Sequence, residues 1–316
     1  MDPRLQAISA TEGVFLRREA IAIGFDDRSI ERLVRRGEWV RVRRGAYVGA
    51  ELWEALDEVG RRRVVARAAV RTAQTHVALS HTTAADALGA PVWDMPDVVH
   101  LTRTDHKAGR SEAGVRQHRG TIRVGDVTRR DGLLVTSGTR TALDMLTITD
   151  VEHALVTIDG LLHRGETTKE LLAQGLAAQA FWPKTLASDL AIRLASGLAE
   201  SAGETRIRFL CWAQGLPAPV LQYEVRNRHG RLIARLDLAW PELGVFLEFD
   251  GKVKYVVHLR PGETVTDAVL REKRREELVC ELTGFRGIRT IWSDLYVPEQ
   301  TASRIRALFR PSFRAA

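Results

Sequence analysis

Cysteine, lysine and long apolar runs are all scarce in this chain of 316 residues, and each scarcity excludes something. Two Cys, Cys211 and Cys280, cannot make a disulfide framework or complete a zinc site by themselves. A reducing cytoplasm is therefore the expected compartment. No stretch approaches the roughly 20 continuous apolar residues a membrane helix needs, so no membrane association is expected. The opening Met1-Asp2-Pro3-Arg4 lacks the basic start and apolar core of a secretory signal. The nine His are scattered, without the H-E-x-x-H or Cys/His spacing of a transition-metal site. Neither a P-loop nor a dinucleotide fingerprint is present, which leaves nucleotide-driven chemistry without support. No internal repeat or low-complexity tract is visible.

Arginine carries what lysine does not. Of 47 cations only six are Lys, and three of these, Lys252, Lys254 and Lys273, fall in one segment near the C-terminus. The net charge of +7 attracts polyanions, of which nucleic acid is the commonest. A composition of 45% hydrophobic and 28% charged residues is that of a globular protein. The length suggests two or three domains at roughly 100 to 150 residues each.

Residues 1–50 read as three short helices and a hairpin. Asp2-Pro3 starts a helix that Gly13 stops, a second runs from Arg17 to Ala22, and Asp26 or Asp27 caps a third. In the third, Ile30, Leu33 and Val34 make the buried stripe while Arg28, Arg32 and Arg35 share the opposite face at i, i+4, i+7. Val40-Arg41-Val42-Arg43 alternates, turns at Arg44-Gly45 and returns through Ala46-Tyr47-Val48, with apolar residues inward and Arg outward. That order is a winged helix-turn-helix, whose third helix enters the major groove and whose Arg side chains contact guanine or phosphate. Arg28, Arg32, Arg35, Arg43 and Arg44 are the candidate contacts to double-stranded DNA. The bland alternative is a solvated Arg face. The stretch "TEGVFLRREAIAIGFDDRSIERLVRRGEWVRVRRGAYV" also resembles the N-terminal DNA-binding domain of the AbiEi family of antitoxin-like regulators.

Residues 51–199 form an expected mixed α/β middle domain. A helical stretch covers 51–75, strands lie near Val98–Leu101, Val115–His118 and Leu133–Thr136, and helices return from Thr139. "LSHTTAADALGAP" and "LLVTSGTRTALDML" resemble the part that follows the winged helix in AbiEi-like proteins, which implies regulation or contact with a toxin or other protein partner. His81 is expected to bond locally after Ser80, and Thr141 with Asp144 has the spacing of a helix cap. Arg103, Lys107, Arg110, Arg116, Arg119 and Arg123 could extend a DNA track or line a solvated loop surface.

Residues 200–316 read as one helix, three strands, a helix, a strand and a last helix. In "RLIARLDLAWPELGVFLEFDGKVKY", Glu248, Asp250 and Lys252 are two apart and share one strand face, while Leu247 and Phe249 face the other way. The turn Pro241-Glu242-Leu243-Gly244 lets the preceding strand place Asp237 beside them. Clustered carboxylates repel unless a cation joins them, and Mg²⁺, or Mn²⁺ in its place, takes oxygen ligands of this kind. Such an ion activates water and offsets charge on a phosphoryl group, and a nearby Lys can orient that water.

This constellation resembles the PD-(D/E)XK nuclease superfamily, in the branch of the very-short-patch repair endonuclease. The resemblance implies a restriction-endonuclease-like α/β/α domain hydrolysing DNA phosphodiester bonds. It implies Asp237 and Glu248 as metal ligands with Asp250 assisting, Lys252 or Lys254 beside the water, Glu204 supporting from the first helix, and Arg271, Lys273, Arg274 and Arg275 on phosphate. Two departures stand out. Aligned on Glu248, the expected Lys position holds Asp250; aligned on Asp250-Gly251-Lys252, Glu248 is supernumerary. The branch's His after the D-G is replaced by Lys254-Tyr255, with His258 farther on. The whole reading is an α+β multidomain DNA-binding protein with a Mg²⁺-dependent endonuclease-like domain. Its alternative is an AbiEi-type transcriptional regulator or antitoxin whose nuclease fold is inactive.

Overall fold

The computed structural model describes residues 2–105, 107, 109, 111–112, 114–179, 185–251 and 264–309. They form an α+β protein with three sheets, divided into two compact units: Met1–Ile148 with Glu166–Pro183, and Thr149–Gly165 with Lys184–Ala316.

The first unit opens with α1 (Pro3–Glu12), which Asp2 caps by accepting from the Arg4 amide at 2.9 Å. Gly13 ends the helix at φ 68°, a left-handed turn that costs glycine nothing. Next come β1 (Phe15–Leu16), α2 (Arg17–Ala22), α3 (Asp27–Arg35), β2 (Trp39–Arg43) and β3 (Ala46–Gly49). Asp26 and Ser29 form a reciprocal capping box that fixes where α3 starts. The antiparallel sheet has order β1-β3-β2. One core holds these elements: Leu5, Phe15, Ala20, Ile30, Trp39 and Tyr47 are buried together, with the Phe15 and Trp39 rings edge-to-face at 4.7 Å. The expected alternation of β2 fails at its end, because the register shifts between Arg41 and Arg43. Arg41 is exposed, whereas Arg43 is half-buried instead of pointing outward.

The helical stretch expected over 51–75 is two helices, α4 (Ala50–Ala55) and α5 (Glu58–Thr72), because Asp57 caps the second through the Gly60 amide. β4 (Val77–Leu79), α6 (His81–Ala87), β5 (Val99–Arg103), β6 (Ser111–Glu112), β7 (Val115–Arg119), β8 (Val127–Arg130) and β9 (Leu133–Thr136) follow. They build a mixed six-stranded sheet of order β6-β7-β5-β4-β9-β8. After α7 (Gly138–Ile148) the chain enters the second unit for α8 (Val151–His163) and returns for α9 (Lys169–Ala177). Thr141 and Asp144 do not cap α7: both lie inside it and are buried. Thr141 Oγ bonds Thr136, and Asp144 pairs with Arg140, one turn away, at 2.8 Å.

The second unit adds α10 (Thr185–Leu194), α11 (Ala202–Ala213), β10 (Val220–Arg226), β11 (Leu232–Trp240), β12 (Val245–Phe249), α12 (Val265–Thr283), β13 (Arg286–Thr290) and α13 (Pro298–Leu308). Its sheet has order β10-β11-β12-β13. The first three strands are antiparallel, and β12 and β13 are parallel, joined through α12 as a parallel pair requires. All five residues of β12 are buried, and the strand packs on both faces. Leu247 and Phe249 meet Ile207 and Leu210 of α11 and Ile305 of α13, while Phe246 meets Val279 of α12 and Phe285. Gly203 makes the first contact possible: a Cβ there would lie 2.0 Å from the Phe249 ring. Among the described residues, no helix is long and apolar enough to cross a membrane.

Candidate nucleic-acid interface and acidic pocket

Helix α3 presents Arg28, Arg32 and Arg35 on one exposed face, opposite the buried Ile30. None of the three has an ion pair among the described residues. The nearby pairs leave them alone: Arg17 takes Asp27 at 2.6 Å, and Arg36 stands 3.9 Å from Glu38. Arg44 is exposed at the hairpin turn. Arg43 has the opposite surroundings, since burial pushes its guanidinium below its ordinary value and its Nε lacks a hydrogen-bond partner among the described residues. It lines a recess with Arg44, Glu112 and Gln117.

The expected Arg103 to Arg123 track divides in the same way. Arg103 is committed to Asp105 through two hydrogen bonds of 2.8 and 2.6 Å. Arg116, Arg119 and Arg123 are exposed, and Arg110 lies outside the described residues.

In the second unit, β11 and β12 bring Asp237 next to Glu248, and Asp237 Oδ2 accepts from the Phe249 amide at 2.9 Å. Asp237, Glu248, Asp250 and Glu272 line a pocket of about 290 Å³ together with Arg235, Arg271, Arg275 and Arg289. Four carboxylates thus face four guanidinium groups. Arg275 bonds both Glu248 and Glu272. Arg289 reaches Glu248 at 3.5 Å, Asp250 at 3.8 Å, Glu272 at 3.1 Å and Glu276 at 3.0 Å. Burial raises the Glu248 carboxyl above its ordinary range against the pull of Arg275 and Arg289. Burial opposes ionisation of Glu272 too, but there the hydrogen bond from Arg275 and the charge of both arginines win and hold it low.

In this arrangement Arg275 and Arg289 supply positive charge to Glu248, Asp250 and Glu272. Asp237, Glu248 and Asp250 do not form a trio with ligating oxygens all within 4.8 Å of one another.

Other expected members of the site separate. Glu204 does not line the pocket. It is buried in the first turn of α11, where it accepts from the N-cap Ser201 Oγ at 2.7 Å, the Glu200 amide at 3.0 Å and Gln222 at 2.9 Å. Of the four cations expected on α12, Arg271 and Arg275 line the pocket, whereas Lys273 and Arg274 are exposed and do not. Lys252, Lys254, Tyr255 and His258 lie outside the described residues. Glu272, Glu276 and Arg289 were not expected. Arg289 enters through the parallel register that sets it beside Glu248.

A second unexpected grouping lies in the first unit. His81, His100 and His118, from α6, β5 and β7, each bring a ring nitrogen within 4.8 Å of the other two. The His81 hydrogen bond to Ser80 Oγ, at 2.9 Å, is the expected local one.

A family model described as "Transcriptional regulator, AbiEi antitoxin" matches residues 4–48, the segment that carries the free arginines. Two uncharacterized proteins, from two strains of Mycobacterium tuberculosis, are each 29% identical over 148 residues, which is 47% of this chain and 53% of the relative. The chain thus spans about half the length of the curated relatives it matches. Residues 4–48 are an N-terminal region of the AbiEi antitoxin and regulator type.

Proposed function

We propose that the protein is a DNA-binding transcriptional regulator of AbiEi antitoxin type. Residues 1–50 act as a winged helix whose third helix, α3, enters the major groove of double-stranded DNA. One observation carries this reading: Arg28, Arg32 and Arg35 stand exposed and unpaired on one face of α3, in the segment that matches a regulator family. An unpaired guanidinium can neutralise phosphate or read guanine without first breaking an internal bond. The middle region, with the second unit, is the part available to a toxin or other protein partner. In this reading the pocket beside Asp237 is an ion-pair network in which Arg275 and Arg289 hold Glu248 and Glu272. A gel shift against the protein's own promoter region tests the reading; binding unchanged after removal of residues 1–50 defeats it.

A second reading has its own support. The order helix, three antiparallel strands, helix, parallel strand, with Asp237 beside Glu248, is what the PD-(D/E)XK resemblance implies. In that reading the domain is a DNA endonuclease that uses Mg²⁺ or Mn²⁺, with Asp237, Glu248 and Asp250 as candidate ligands. Arg275 must first leave Glu248 for an ion to reach it. Incubation with supercoiled plasmid and Mg²⁺ or Mn²⁺ separates the two: nicking that Asp237→Ala abolishes favours the nuclease, and its absence favours the scaffold.

A further inference from the structure

His81, His100 and His118 come from three elements and meet on one side of the six-stranded sheet. The His81 and His118 rings stack at 3.8 Å between centroids, and His100 Nδ1 stands 2.8 Å from His118 Nε2. His81 is held at φ 51°, a conformation unusual for a side-chain-bearing residue and one that persists where surrounding structure dictates it. Its Nδ1 is engaged by Ser80 Oγ at 2.9 Å, which leaves Nε2 to face elsewhere. A second ring nitrogen tied to a hydrogen-bond partner is the usual way a ligating imidazole is oriented.

Beside the trio lies a pocket of about 430 Å³ lined by His81, His118, Thr102, Arg140 and Asp144. Two of its polar atoms, Thr102 Oγ and Asp144 Oδ2, are buried with no hydrogen-bond partner among the described residues. Groups left so are costly and call for a partner. Burial keeps all three imidazoles neutral near pH 7, with His100 and His118 pushed down to about 4.

We propose that His81, His100 and His118 bind one divalent cation of the zinc class, with its fourth coordination position open to the adjoining pocket. Three histidines with one open position is a known catalytic zinc arrangement, and imidazole suits zinc, copper, iron and nickel alike. Tetrahedral bonds of the usual length put ligand nitrogens roughly 3.3 Å apart. Binding therefore breaks the contact between His100 and His118 and tilts the stacked rings apart. The cations facing His81 do not forbid this: Arg116 is exposed, and Arg140 is offset by Asp144 and Asp126, each at 2.8 Å. A water in the open position could donate to Asp144 Oδ2 and bond Thr102 Oγ, the two orphaned polar atoms.

The test uses the full chain, stripped with a chelator and titrated with Co²⁺ by visible absorption and with Zn²⁺ by calorimetry. The expected result is one ion per chain, with the intense visible bands of tetrahedral cobalt. His100→Gln and His118→Gln, checked by circular dichroism for intact folding, should lose those bands. Ser80→Ala keeps all three rings but frees His81 and should weaken binding roughly tenfold. His229→Gln, at an exposed imidazole outside the trio, should change nothing. Absence of the cobalt bands in the wild type, bands that survive both His variants, or bands lost on His229→Gln would each overturn the proposal.

Discussion

Helices α3 and α12 both read as basic in sequence, and the structure separates them. On α3, Arg28, Arg32 and Arg35 are exposed and unpaired. On α12, Arg275 is bound to Glu248 and Glu272, and Arg289 of β13 closes the same network from the other side. A free guanidinium gains all of its phosphate attraction on binding, released counterions included. A guanidinium that already neutralises a half-buried carboxylate must give up that bond first and leave the carboxylate uncompensated. An arginine-rich segment is thus a nucleic-acid contact only where tertiary structure has supplied no carboxylate.

The sharpest way to break this contrast is to remove the free set. Arg28→Ala, Arg32→Ala and Arg35→Ala combined should lower DNA affinity about a thousandfold, at about 1.5 kcal/mol for each charged hydrogen bond lost. The salt dependence of log K should flatten by about 0.9 for each phosphate contact removed. Gel shifts over a salt series measure both. An affinity loss under tenfold would mean that α3 is an ordinary solvated face.

The bound set should behave in the opposite way. Arg275→Ala leaves Glu248 short of its main partner in a buried position and should cost about 3 kcal/mol of stability, with DNA affinity unchanged. Urea unfolding gives the first quantity and a gel shift the second. The same variant sharpens the choice between scaffold and nuclease, because it leaves Glu248 only the longer pair with Arg289. Plasmid nicking that appears in Arg275→Ala with Mg²⁺ would make the arginine a lock on a competent site.

Much of this was legible in the sequence because it is local. The Asp2 and Asp26 caps, the Gly13 stop and the i, i+4, i+7 spacing of the arginines place α1 and α3 without tertiary information. The tight turn after Trp240 fixes the β11–β12 register and with it Asp237 beside Glu248. The illegible parts come from long-range pairing. Arg289 meets Glu248 only because β12 and β13 pair in parallel across α12. His100 and His118 meet because β5 and β7 are parallel neighbours, with His118 opposite Thr102. The Glu272 pairing was partly readable, since Glu272 and Arg275 are three apart on one helix. Glu204 is ambiguous for the converse reason: an acid near a helix start fits both a catalytic role and local bonds at the helix N-terminus, and here it bonds Ser201 and the Glu200 amide.

The position of β12 offers a smaller test. Gly203→Ala would push a methyl into the Phe249 ring and displace the strand that delivers Glu248 to Arg275. Overpacking of this kind costs about 2 kcal/mol. Unfolding of the second unit should occur at lower urea while DNA binding through α3 persists. If Gly203→Ala instead abolished DNA binding, the contrast between the two arginine sets would fail, because the C-terminal pocket would then be part of the DNA site.

The smallest effect concerns Arg103, which the charge pattern placed on a DNA track and the structure places on Asp105. The hydrogen bond from Arg103 holds the Asp105 carboxyl well below the usual carboxylate range, with a further bond from Thr75. A depressed carboxylate contributes stability that is complete above the unfolded value of about 4 and is lost as pH falls below it. Arg103→Ala should therefore flatten the acid side of the stability curve below about pH 4, by little because the pair is solvent-screened, and leave DNA affinity within about twofold. Urea midpoints from pH 2 to 6 with a parallel gel shift measure the two effects. A large affinity loss with no change in the acid limb would show that Arg103 abandons Asp105 for phosphate, and that an ion pair at the surface does not remove an arginine from the DNA-binding set.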